Sequence, residues 1–168
     1  MPLNTLNPTS NTTPDQGGTT AVTSPTNTGH ASSTSTSTDA ADLDAQSCRW
    51  QTFSSIVGQI LSITLKVDHT SSGGLSGVGA NNTFTLEYSL NGGSSWTTAV
   101  SRSHFTAAQG PTTFSVGLSA SQDISQVRVR DIFATSTTSN GESASVTVTI
   151  ANIKLEVQTS DANVVLMM

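Results

Sequence analysis

An all-β fold, an antiparallel β-sandwich of jelly-roll type behind a long extended N-terminal arm, is what this sequence predicts. Three observations carry that expectation. From Trp50 onward, apolar and polar residues alternate with a period of two, as strands with one buried face require. The alternating runs are separated by turn-forming clusters such as Asn91-Gly92-Gly93 and Asn140-Gly141, which accept the positive φ of tight hairpins. No stretch of helical period competes with them, and about seven or eight short strands with this punctuation fit a two-sheet sandwich.

The arm comes first. Met1 to Ser47 contains no Lys, Arg or aromatic residue and holds four of the five prolines. A segment made mainly of Ser, Thr, Asn and Gly cannot bury enough apolar area to offset the entropy of ordering it. Each proline also fixes φ and removes a donor, which favours extended backbone over helix. Residues 1–47 are therefore expected to be extended or disordered until a partner orders them. The run from Ser32 to Thr38 is suited to adding as a strand to a neighbour's sheet edge. Asp39 to Ala45 has the composition of a short helical turn capped by Asp39.

Residues 48–158 form the expected sandwich, enough chain for one core. Trp50 to Val57 is a first short strand. Gln59 to Val67 is a second, with Leu61, Ile63, Leu65 and Val67 facing inward. Asp68 to Asn82, rich in glycine, reads as a long mobile loop. Phe84, Leu86, Tyr88 and Leu90 then alternate into the hairpin turn at Asn91, and the chain returns through Trp96 to Val100. Ser101 to Pro111 reads as a second loop, followed by a short strand from Thr113 to Leu118. Between Ile124 and Ala134, Val127, Val129 and Phe133 share one face, with Arg128 and Arg130 on the other. Ser143 to Val157 is the longest strand, and the three-residue step from Ile150 to Ile153 implies a bulge near Ala151-Asn152. Residues 159–168 form an apolar tail in which Val164, Val165, Leu166, Met167 and Met168 either complete an edge strand of their own domain or pack against a neighbouring subunit.

Charge narrows the function. The formal net charge is -5, and Asp15, Asp39, Asp42 and Asp44 place four uncompensated negatives in the arm. Phosphate contacts need clustered Lys and Arg, so direct nucleic-acid binding is not expected. No run of residues is long and apolar enough to span a bilayer, and Met1 to Ser24 lacks the basic and apolar regions of a signal peptide, so no membrane partner and synthesis in a cytoplasm are expected. Cys48 is the one cysteine, which excludes an internal disulfide, and its expected state is a quietly buried thiol. His30, His69 and His104 have no metal-ligand spacing. Asp68-His69 near Ser71 lacks a nucleophile elbow. Neither catalysis, a metal nor a cofactor is expected.

The turn Ser89-Leu90-Asn91-Gly92-Gly93-Ser94-Ser95-Trp96 resembles the Asp-box, S-x-D-x-G-x-x-W, of sialidases and other β-proteins, with Asn91 where that family has Asp. The resemblance implies a device that shapes a hairpin, carried by Ser89, Asn91, Gly92, Gly93 and Trp96. Arg128-Val129-Arg130-Asp131 and the later run from Val146 to Leu155 are similar to carbohydrate-binding jelly rolls of the galactose-binding-like kind. Those modules often carry Asp where Ala151 stands here. Under that resemblance Trp50 and Trp96 are candidates for a glycan-stacking platform.

An extended acidic arm, a compact sandwich, an apolar tail and no export signal together resemble phage capsid decoration, or cement, proteins. That resemblance implies a non-enzymatic structural protein of the virion, sitting on the capsid surface as a homo-oligomer, commonly a homotrimer, with the major capsid protein as partner. Arg128, Arg130 and the tail residues Val164 to Met168 are the candidate interface. The alternative is a carbohydrate-binding or receptor-binding β-sandwich module, at a fibre tip or on a secreted protein, with a glycan as partner.

Overall fold

In a computed structural model, which describes residues 1–11, 32–36, 42–54, 56–139 and 141–160, the described residues form ten strands, three of them from the segment expected to lack fixed structure. They are β1 (Leu3–Leu6), β2 (Pro8–Asn11), β3 (Ser32–Thr36), β4 (Asp42–Phe53), β5 (Ile60–Ser76), β6 (Asn81–Ser89), β7 (Thr97–Ser103), β8 (Gln109–Leu118), β9 (Arg128–Thr137) and β10 (Ser143–Thr159). A 3-10 turn at Ile124–Gln126, capped by Asp123, leads into β9. Among the described residues no helix is long and apolar enough to cross a membrane.

All the pairings are antiparallel, and they build two sheets. One runs β1-β10-β5-β8, with β3 also on the edge of β10; the other runs β2-β4-β9-β6-β7. Their inner faces meet in one core. Ile63, Leu65 and Val67 of β5 and Val146, Val148 and Ile150 of β10 pack against Phe84 and Leu86 of β6 and Val129 and Phe133 of β9. Each such side chain contributes about 1.5–3 kcal/mol on leaving water, and this face-to-face burial is what holds the sheets together.

The expected bulge is present. The β10/β5 register breaks between Ala151 and Lys154, and Asn152 takes a φ of 49°. The extra residue lets Ile150 and Ile153 both point inward although they are three positions apart.

Several local expectations give way. Asp68 to Asn82 is mostly strand rather than loop: β5 continues to Ser76 because its backbone is paired with β10 throughout that stretch. Glycine in a strand usually signals close approach by a neighbour. Here a Cβ on Gly73 would overlap the Asn82 amide and lie 2.7 Å from the Phe105 carbonyl oxygen. Similarly, β8 begins at Gln109, earlier than Thr113. Leu61 is 40% exposed rather than inward, because the register shifts where Ser62 pairs with Gln158 and Ile60 with Thr159. Asp42 to Ala45 is strand, not helical turn; nine consecutive pairs between β4 and β9 outweigh a local capping preference. Asp39 to Ala41 lie outside the described residues.

Ser32–Thr36 of the Ser/Thr run pair with a sheet edge of their own chain rather than a neighbour's; Ser37 and Thr38 lie outside the described residues. β3 pairs with the start of β10 and β1 with its end, while β2 pairs with β4. The strands drawn from residues 1–47 thus form edges of both sheets.

Candidate functional site

The Ser89 to Trp96 turn is built around two side chains. The Ser89 hydroxyl accepts from the Gly93 backbone N–H at 2.9 Å and donates to Asn91 Oδ1 at 2.9 Å. Asn91 Oδ1 also accepts from the Ser95 N–H at 2.9 Å, and its Nδ2 donates to the Ser95 hydroxyl at 2.8 Å. Gly92 and Gly93 have φ of 72° and 95°, where a side chain would be strained. The Gly92 N–H donates to the Gln126 carbonyl, fastening the turn to the entry of β9. The Ser89 hydroxyl and the Asn91 amide are both spent on shaping the hairpin. Asn91→Ala removes the acceptor for Ser89 and Ser95 and is expected to cost about 1 kcal/mol. Asn91→Asp keeps both accepted bonds and should be close to neutral. Urea midpoints of the two variants check this; equal losses would mean that the accepted bonds are not what matters.

Trp96 lies at the rim, half-buried on the outer side of the second sheet, with the Arg130 guanidinium 4.1 Å from its ring centre. Arg130 Nε also donates to Glu87 Oε2 at 2.6 Å across β9 and β6. Arg128 donates instead to the backbone carbonyls of Ser125 and Val127. Asp131, the next residue along, is fully buried on the opposite face of β9. In register Trp50 stands opposite Val129, a core residue, and Cys48 opposite Asp131. The Trp50 side chain, on which the platform expectation rests, lies outside what the structure describes. The tail residues Val164 to Met168 lie outside the described residues.

At the other end of the sandwich, two side chains that sequence reading did not single out tie the connections down. Asn82 is fully buried; its Nδ2 donates to the carbonyls of Phe105 and Ser145, each at 2.9 Å, and its Oδ1 accepts from the Phe105 N–H at 2.9 Å. Glu142 accepts from the Gly79 N–H at 2.6 Å and from the Thr138 and Ser139 N–H groups at 2.8 and 3.0 Å. Arg102 adds bonds to Ser71 and Ala107 while its guanidinium covers the Phe105 ring. Nothing in the sequence marks Asn82. Glu142 had a weak signal, an acid directly after the Asn140-Gly141 turn.

The Thr138 and Gly79 backbone donors hold the Glu142 carboxyl below its ordinary value. A carboxylate lowered in the folded state contributes stability that is complete above the unfolded value of 4.5 and is lost as pH falls through the folded one. Glu142→Gln is therefore expected to lower Tm at neutral pH and to flatten the acid limb of the stability profile below that value. An unchanged acid limb would remove Glu142 from the account.

On the outer face of the first sheet, Asp68, Thr70, Thr149, Asn152 and Pro111 line a shallow groove of about 180 Å³. Asp68 accepts from the Thr113 hydroxyl at 2.6 Å and from Asn152 Nδ2 at 2.8 Å. Those bonds, that from Thr113 foremost, hold its carboxyl below the usual range, so it is a poor general base. The neighbouring His69 is buried, tilted against Phe84 at 5.8 Å, and no described serine is bonded to it. Among the described residues no three metal-ligating side chains converge. No family model, curated protein or solved structure matches this chain.

Proposed function

We propose that this chain is a non-enzymatic structural protein of a virion, a capsid decoration protein that acts as a homo-oligomer, most simply a trimer, on the capsid surface. The observation that carries the reading is strand order. With β2 set aside, the sheets read β1/β3-β10-β5-β8 and β4-β9-β6-β7, which supports a jelly roll built from two Greek keys, an architecture used by viral capsid proteins and lectins. The Ser89 to Trp96 turn, Asn82, Glu142 and the Lys66–Glu156–Lys154 ion pairs all spend their polar groups on rigidity. A rigid body with edge strands drawn from residues 1–47 suits a protein whose task is to stay attached.

The partner is then the major capsid protein. The carbohydrate-binding alternative draws less support, since Arg130 occupies the ring face of Trp96. Light scattering of the full chain, followed by co-sedimentation with empty capsids of the virus that encodes it, tests the proposal. A trimer that co-sediments is the expected result. A monomer that leaves capsids bare but binds glycans on an array would replace it with the alternative.

A further inference from the structure

One hollow, beside Ile60, holds about 270 Å³ between Phe53, Ile56 and Ile124 and is mainly apolar. The groove of about 180 Å³ on the outer face of the first sheet carries a more specific chemistry, centred on Asp68. Both carboxylate oxygens are oriented by neutral donors, Oδ1 by the Thr113 hydroxyl and Oδ2 by Asn152 Nδ2. Those bonds, that from Thr113 foremost, keep the group ionised. Yet among the described residues Asp68 has no ion pair. Lys154, whose charge also reaches it, is held by Glu156 at 3.0 Å, and Lys66 by the same glutamate at 2.7 Å. Asn152 supplies a second observation. It sits in the bulge of β10 at a φ of 49°, which glycine would adopt at less cost. An asparagine there brings an amide whose nitrogen is turned to Asp68 and whose Oδ1 is left as an acceptor. The Thr70 and Thr149 hydroxyls, from residues that also line the groove, make no hydrogen bond among the described residues. The groove thus offers a visitor mostly acceptors, one of them charged, beside the ring of Pro111.

We propose that this groove receives an arginine side chain of a partner protein, with its guanidinium on Asp68 and its aliphatic stem beside Pro111. A guanidinium has five N–H donors, no acceptor and a charge that persists at any working pH, which complements a wall of acceptors around a carboxylate. A lysine ammonium, a point charge with three donors, would leave more of those acceptors unmet. At about 180 Å³ the groove is smaller than the roughly 300 Å³ at which pockets begin to enclose whole ligands, so it suits one side chain carried on another surface. The formal net charge of -5 favours the approach of a cationic partner. No capsid is needed for this contact, so it stands whether or not the virion reading does.

Amide NMR titration of the full chain with the peptide acetyl-Gly-Arg-Gly-amide tests it, with the citrulline peptide as the neutral isostere. Saturable shifts are expected at Asp68, Thr70, Thr149 and the Asn152 side-chain amide. The arginine peptide should bind about tenfold or more tighter than the citrulline one, the range of a charge-assisted contact, and added salt should weaken it. Asp68→Asn keeps the shape and removes the charge, so it should abolish the shifts, while unmoved Leu65 and Val146 amides verify that the core is intact. Asn152→Gly, which fits the same φ, should weaken binding as well. Equal responses to the two peptides, shifts that do not saturate, or a response in Asp68→Asn that matches the native protein would each overturn the proposal. The citrulline comparison needs no variant, so it decides the matter even if Asp68→Asn fails to fold.

Discussion

Asn82→Asp is expected to destabilise the protein by about 3–5 kcal/mol at neutral pH, the cost of leaving a buried charge without a partner. The substitution is nearly isosteric, so packing hardly changes. What changes is the sign of one atom: Asn82 Nδ2 donates to the carbonyls of Phe105 and Ser145, and an aspartate oxygen there would face two acceptors at a fully buried position. Protonation relieves part of the conflict, so the variant's carboxyl is raised in the folded state and its deficit should shrink as pH falls. Urea unfolding of both proteins at neutral and mildly acid pH measures this; a deficit below about 1 kcal/mol, ordinary for one neutral hydrogen bond, would mean that the site admits water. Gly73→Ala should act through the same contact, costing about 1–3 kcal/mol by overpacking. Because the new methyl would collide with Asn82 itself, the two changes should combine non-additively.

Phe84→Ala is expected to cost about 3–5 kcal/mol, since Phe84 is fully buried between the sheets, opposite Phe133 in register. It should also change how stability responds to acid. The neighbouring His69 is 2% exposed and its Nδ1 has no hydrogen-bond partner. Burial lowers its pKa from 6.5, with the Asp68 carboxylate opposing and Arg102 reinforcing the shift. A histidine kept neutral by folding contributes stability that is complete above 6.5 and is lost as pH falls from there through the lower folded value. The native protein should therefore weaken over that window, separately from the more acid Glu142 limb. A cavity at residue 84 hydrates His69 and should flatten the window, as should His69→Leu. Parallel pH profiles for native protein and His69→Leu would show that His69 does not titrate with unfolding.

The face that each strand buries was legible before any coordinates, because period two is a property of the chain alone. Ile63, Leu65 and Val67, Phe84 and Leu86, Val129 and Phe133, and the phase change across Asn152 all follow from it. The Ser89 to Trp96 turn was legible for the same reason, since its hydrogen bonds close within eight residues. Where alternation stopped, reading failed. The glycines at Gly73 and Gly74 looked like a loop, yet they are strand residues, at Gly73 with Asn82 and Phe105 filling the space a side chain would take.

The sequence by itself determined strands, faces, the bulge and the hairpin turn, all of which depend on the φ preferences and polarity of residues near one another in the chain. Only the tertiary structure decided that β1 and β3 share the edge of β10, that Asn82 and Glu142 lock one end, and that the chain leaves β10 beside an apolar hollow at the other. Those contacts join residues tens of positions apart, and their energy comes from burial and from polar groups whose partners exist only once the sheets have closed.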